Sequence, residues 1–236
     1  MINTAFDFRE DTPVGLDPDQ HSPTLRRYHS ALWSRPLPSG EAFELRTDVP
    51  GSYLHHRSAL GVFSLASDSM VPTYSRWAAT SHVIAQIPAD EQESFLGLAY
   101  TIGGMIVYPA NKVDGKLTIN GARGFTRSVA DRIDLTLECI RRHYGGGTSP
   151  LSATLERYAG FFALFGSFEG YVDFFLLQDL VGGGGSTVRF LLPFDDFTVV
   201  GAVPTTLDAY VRYRARTVDF LQARNRRIAR LAVDPS

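Results

Sequence analysis

The side chains best suited to chemistry fall in one stretch. Between Tyr108 and Phe125, the residues Asn111, Lys112, Asp114, Lys116, Asn120 and Arg123 are set among three glycines. They directly follow an apolar run, Gly103-Gly-Met-Ile-Val107, that reads as a buried strand. Loops at strand ends are where proteins place binding and catalytic groups. Asp114 lies between Lys112 and Lys116, which would hold it ionised near neutral pH. An ionised carboxylate can orient water or stabilise a cationic transition state. Asn111 and Asn120 each carry a donor and an acceptor and can read an amide-like edge. Arg123 can grip a phosphate or a carboxylate. The expected site is therefore catalytic at Asp114, Asn111 and Lys116, with Asn120, Arg123 and Phe125 holding the substrate. The same letters also suit a hairpin, with Asp114-Gly115 as a two-residue turn between strands 109–113 and 116–120. The two readings are compatible, because a hairpin tip can project into a site.

A second signal lies near the C-terminus. Leu207, Val211, Val218, Leu221 and Ile228 recur at helical spacing, while Arg212, Arg216, Arg226, Arg227 and Arg230 fall on roughly the opposite side. Arginines in such a row can track a phosphate backbone, or they can simply solvate the outer face of an amphipathic helix. The histidines show no zinc-type spacing, and Asp195-Asp196 lacks a third ligand. No phosphate loop, dinucleotide fingerprint or Gly-x-Ser-x-Gly occurs. Neither a metal nor a cofactor is expected.

The elements that must position these groups are short. A helix is expected over 24–34, capped by Ser22 with Pro23 in its first turn. Strands are expected over 42–46, 53–56, 60–65, 82–87 and 105–108, each bounded by Gly, Pro, Asp or Ser. An acidic helix start at Pro88 leads to a helix ending near Tyr100. From Ser128 the pattern turns helical: one helix from a capping-box-like start at 128–131 to Gly145, one from Ser149-Pro150 through Phe165, and an all-apolar central helix over 167–181. Gly182–Gly185 reads as a flexible connector, 188–192 as a strand, and Thr205 as the cap of the last helix. The fold class is α+β, with a mixed N-terminal half and a helical C-terminal half on one shared core. The whole chain, 1–236, reads as a single domain: an arm over 1–23, a mixed part over 24–125 and a mainly helical part over 126–236.

Composition bounds the rest. A chain of 236 residues with 44% hydrophobic and 20% charged residues is ordinary for a soluble globular protein. A net charge of −2 excludes a bulk polycation, so nucleic-acid binding would need a local basic face. One cysteine, Cys139, excludes an intrachain disulfide and a cysteine-rich zinc site. The N-terminus carries charges where a signal peptide needs an apolar core, and no apolar run approaches the roughly 20 residues of a membrane span. The expected setting is cytoplasmic, with no membrane partner; the oligomeric state is not indicated.

Four segments carry a resemblance across nearly the whole chain: Phe6-Asp-Phe-Arg9, the run from Asp114 to Phe125, Leu135-Thr-Leu-Glu-Cys-Ile-Arg-Arg-His-Tyr144 and Tyr171-Val-Asp-Phe-Phe-Leu-Leu-Gln-Asp-Leu180. They resemble a widespread bacterial family of cytosolic proteins of unknown function. Two shorter segments are similar to uracil-DNA glycosylases. Gly15-Leu-Asp-Pro-Asp-Gln-His21 resembles their water-activating loop, and Thr148-Ser-Pro-Leu-Ser-Ala153 with Gly160-Phe-Phe162 resembles their second catalytic segment. Asp19 and Gln20 stand where that family has Tyr-His. The resemblance implies a water-orienting role for Asp17. The expected function is a DNA N-glycosylase that removes a modified base, in defence against phage with modified DNA. Its C-terminal arginines would hold DNA, and its Phe and Tyr residues would stack the extruded base. The alternatives are a metal-free hydrolase or transferase for a small nucleotide or sugar phosphate, and a non-enzymatic binding or assembly module.

Overall fold

The computed structural model describes residues 2–198 and 202–231. The arm is folded onto the body. Phe8 opens a 3-10 turn with its ring fully buried, and its N–H donates to the Tyr100 carbonyl. Two helices follow, α1 (Pro18–His21) and α2 (Pro23–Trp33). Ser22 caps α2 by accepting from the Leu25 N–H at 3.0 Å, as the Ser-Pro pair predicts. Strands β1 (Arg35–Pro36) and β2 (Ala42–Phe43) form a small ladder, so the expected strand 42–46 is shorter than its pattern suggested.

The main sheet has three antiparallel strands: β3 (Leu54–Ser58), β4 (Gly61–Ser69) and β5 (Met105–Pro109), in that order. β4 runs four residues beyond the expected end at Leu65, and this extension pairs Ser67 with Val107 and Asp68 with Ile106. Between β4 and β5 lie α3 (Ser81–Ile84) and α4 (Ala89–Ala99). The expected strand 82–87 is thus a correction: Val83 and Ile84 are buried on a short helix.

The largest correction follows β5. Asp114 and Gly115 do form a tight turn, with φ of 53° and 70° and a Lys116 N–H to Val113 O bond of 3.0 Å. The segment directly after it, 116–125, contains no strand. Thr118 accepts from the Gly121 N–H at 3.3 Å and caps α5 (Ile119–Phe125), which buries Ile119, Ala122 and Arg123. That burial is helical, i, i+3 and i+4, and it overrides the hairpin preference of Asp-Gly.

The helical half is more broken than its apolar pattern implies. α6 (Ile133–Tyr144) starts five residues later than expected, because Ala130 and Asp131 are left-handed (φ 50° and 62°). The helix expected through Phe165 divides at Tyr158 into α7 (Ser152–Arg157) and α8 (Ala159–Ala163). The expected central helix 167–181 is only α9 (Phe168–Phe174), ending before Leu176 at φ 56°. Gly182–Gly185 is a turn rather than a free connector, joining β6 (Val181–Gly182) to β7 (Thr187–Val188), and 188–192 keeps only its first residue as strand.

α10 (Leu207–Leu231) closes the fold. Its cap is Thr206, one place after the expected Thr205, accepting from the Ala209 N–H at 3.3 Å. Its buried side chains bind it to the sheet. Arg224, fully buried, donates to the carbonyls of Ile102, Gly103, Met105 and Phe175. Asn225 Oδ1 accepts from the Gly103 N–H at 2.8 Å. A Cβ on residue 103 would sit 2.5 Å from that oxygen, so only glycine permits the approach. The core draws on both halves, from Phe8 and Trp33 through Val107 to Phe175 and Ile228. The architecture is α+β.

Candidate functional site: an aspartate cleft

The sequence-predicted residues separate. Asn111, Asp114 and Lys116 are exposed; the Asn111 carbonyl accepts from the Tyr158 hydroxyl at 2.9 Å. Phe125 is 79% exposed at the end of α5. None of these four lines a cleft of about 770 Å³. Asp17 and Asn120 do line it, and Arg123 pairs with two aspartates of its lining, Asp68 and Asp131.

The cleft is built where the arm meets the far end of β4. Asp17 caps α1 by accepting from the Asp19 N–H at 3.1 Å, which turns Asp19 inward. Asp19 Oδ2 then accepts from the Ser69 N–H at 3.0 Å, while its Oδ1 is sealed from water with no hydrogen-bond partner. Asp68, 5% exposed, lies one residue before Ser69 and is gripped by the Arg123 guanidinium. Arg123 is itself fully buried. Besides Asp68 it donates to the Thr136 hydroxyl (2.9 Å) and to the carbonyls of Met70 (3.2 Å) and Asp131 (2.7 Å). Its Nη2 also lies 3.5 Å from Asp131 Oδ1. The substrate-holding role expected for Arg123 is therefore corrected: its fork is committed to the protein, and it organises two carboxylates of the wall.

Those carboxyls share an unusual environment. Burial, reinforced by the charges of Asp68 and Asp17, lifts Asp19 well above the ordinary carboxylate range. Burial lifts Asp68 to about 7, with Arg123 pulling the other way. Burial also raises Asp131. Aromatic residues from the 70–77 segment and from the end of α4 also line the cleft. Tyr74 and Trp77 meet edge to face at 5.2 Å, and Tyr100 lies under the Arg9 guanidinium at 5.7 Å. Strain gathers here, since the left-handed Tyr74 and Asp131 both line the cleft; such conformations cost about 1–3 kcal/mol each and cluster at functional sites. Among the described residues no group of three or more His, Cys, Asp or Glu is arranged to hold a metal ion.

The arginines of α10 lie elsewhere. Arg212 pairs with Asp208, and Arg227 donates to both oxygens of Asp179 at 3.0–3.1 Å. Arg216 donates to the Phe190 carbonyl at 3.1 Å, and Arg226 lines a separate groove with it. Arg230 is exposed. None of the five lines the aspartate cleft. The two glycosylase-like segments are also apart: Asp17 and Asp19 line the cleft, while residues 148–153 do not.

Sequence reasoning missed Asp19, Asp68, Asp131, Trp77, Tyr100 and Arg76. One signal existed. Asp68 follows Leu65-Ala-Ser at strand spacing, and an acid that extends an apolar strand must be buried beside a partner.

A fold of this α+β class with an aspartate cleft fits its family assignment without narrowing it. The chain belongs to a family of unknown function, DUF6994, whose profile matches residues 2–228. No curated protein and no solved structure matches it. No helix among the described residues is long and apolar enough to cross a membrane.

Proposed function

We propose that this protein is an N-glycosidase that removes a modified base from DNA, and that the aspartate cleft is where the bond breaks. One observation carries the reading: Asp19, a carboxyl whose pKa burial raises, has one oxygen engaged by the Ser69 N–H and the other unpartnered. A carboxyl with a raised pKa and an unpaired oxygen is suited to act as a general acid. In the proposed step its proton passes to the leaving base nitrogen as the bond from C1′ to nitrogen breaks. Water adds to C1′ and gives its proton to Asp17, the carboxylate exposed at the mouth. Asp68 and Asp131, which line the same cleft, would temper the positive charge that develops on the sugar, as in other carboxylate-driven glycoside cleavage. Trp77 and Tyr100 would stack the base, and Asn120 would read its edge. Acting on phage DNA with modified bases, such an enzyme would serve in defence.

A second reading, cleavage of a free nucleotide, is favoured by a separate observation: no α10 arginine borders the cleft. Incubation with modified and unmodified duplexes, and with the matching nucleotides, tests both. Alkali-labile sites in a modified duplex support the DNA reading, and free base from nucleotides alone supports the second. Binding without base release from any of them would leave a non-enzymatic binding module. In the catalytic readings Asp19→Asn sharply slows release and Asp114→Asn does not.

A further inference from the structure

The cleft holds four aspartates, Asp17, Asp19, Asp68 and Asp131, and only two arginines line it, Arg9 and Arg76. Arg9 is committed: it pairs with Asp7 and with Glu93, at 2.7 Å for the latter, and its plane covers Tyr100. Arg123, behind the wall, is committed to Asp68 and Asp131. Arg76 is different. It is exposed at the cleft, next to Trp77 in the chain, and makes no hydrogen bond or ion pair among the described residues. Its chain neighbours Tyr74, Ser75 and Trp77 line the cleft with it.

An anion cannot settle among the aspartates. A ligand that combines a polar sugar, a flat ring and an anionic group can divide itself by chemistry. The sugar sits at the carboxyl side, the ring against Trp77, and the anion at the one uncommitted guanidinium. We propose that Arg76 binds a phosphate of the ligand, so that the cleft recognises a nucleotide rather than a nucleoside. This rests on the glycosidase reading for the position of the sugar. The phosphate could belong to a free nucleotide or to a strand, and the chemistry of the contact is the same.

The test is calorimetric binding of a deoxynucleoside, its 5′-monophosphate and a short single-stranded oligonucleotide to the full chain and to Arg76→Gln, Arg76→Lys and Arg226→Gln. The expected result is that the monophosphate or the oligonucleotide binds about tenfold more tightly than the nucleoside, the scale of one charge-assisted contact. Arg76→Gln should erase that preference, Arg76→Lys should restore part of it, and Arg226→Gln, outside the cleft, should leave the preference for the monophosphate intact. Preference for the monophosphate would identify a free nucleotide; preference only for the oligonucleotide would identify a strand. Equal binding of nucleoside and phosphate forms, or a preference that survives Arg76→Gln with the fold intact by circular dichroism, would overturn the proposal. Phosphate-dependent binding without base release would remove the glycosidase reading and leave this one. Base release from nucleosides and nucleotides alike, with no effect of Arg76→Gln, would do the reverse.

Discussion

At the residue scale the decisive group is Asp19. As a general acid it works only while protonated, so turnover should fall on the alkaline side as pH rises through its elevated pKa. Asp19→Asn should lower kcat by roughly 10²–10³-fold, within the range for loss of a general acid, and should flatten that limb of the pH profile. The same group makes a stability prediction. Its pKa is raised on folding, so the folded state holds a proton that the unfolded chain releases above its ordinary value near 4. Stability contributed by Asp19 is therefore lost as pH rises from there toward its folded pKa. Urea unfolding should find Asp19→Asn gaining on the wild type with pH over that interval, and a constant difference would contradict the assigned burial. His29 acts in the opposite direction. Buried between Trp33 Nε1 (3.0 Å) and the Ser67 hydroxyl (2.9 Å), it is held neutral with its pKa pushed down to about 3. Its contribution is complete above about 6.5 and declines as pH falls toward 3. Arg123→Met would strand Asp68 and Asp131 without their cation. A buried pair broken this way costs about 3–5 kcal/mol, measurable as a lowered urea midpoint.

At the element scale, legibility tracked local chemistry. α2 was readable because Ser22 and Pro23 fix its start within the chain itself. β5 was readable because five consecutive residues are buried. What escaped was set by distant partners. The hairpin expected around Asp114-Gly115 gave way to α5 because Arg123 must reach Asp68, 55 residues earlier. α6 starts late because its approach is spent bringing Asp131 to Arg123, through two left-handed residues that no periodicity encodes. The cleft was half legible: Asp17 and Asn120 were picked out, but Asp19 gains its character from Ser69 and from burial under the arm. The seam between α10 and the Gly103 turn gives this scale its own prediction. Gly103→Ala should clash with Asn225 and cost about 1–3 kcal/mol. Asn225→Ala should leave the Gly103 N–H unpaired at a similar cost of about 1–3 kcal/mol. The double variant should lose less than the sum, because the second change removes the obstacle to the first.

At the scale of the molecule, two polar faces are separate. One is the aspartate cleft; the other is the groove of about 570 Å³ along α10, with Arg189, Arg216 and Arg226 set against Asp179 and Asp219. If the α10 face touches a DNA backbone, Arg226→Glu with Arg230→Glu should weaken oligonucleotide binding and flatten its salt dependence. Base release from a free nucleotide should be unchanged, because neither residue reaches the cleft. The body that joins the two faces also contains a reporter. Cys139 sits at the centre of α6, fully buried, its thiol pushed up to about 12 by that burial. A thiol reagent can reach it only when α6 lifts away, so the modification rate becomes a stopwatch for that opening. α6 begins two residues after Asp131, on the cleft wall. Any small molecule that occupies the cleft and grips that wall should slow the stopwatch in step with its occupancy. A ligand for this protein could thus be screened for by watching one sulfur, before any reaction is known.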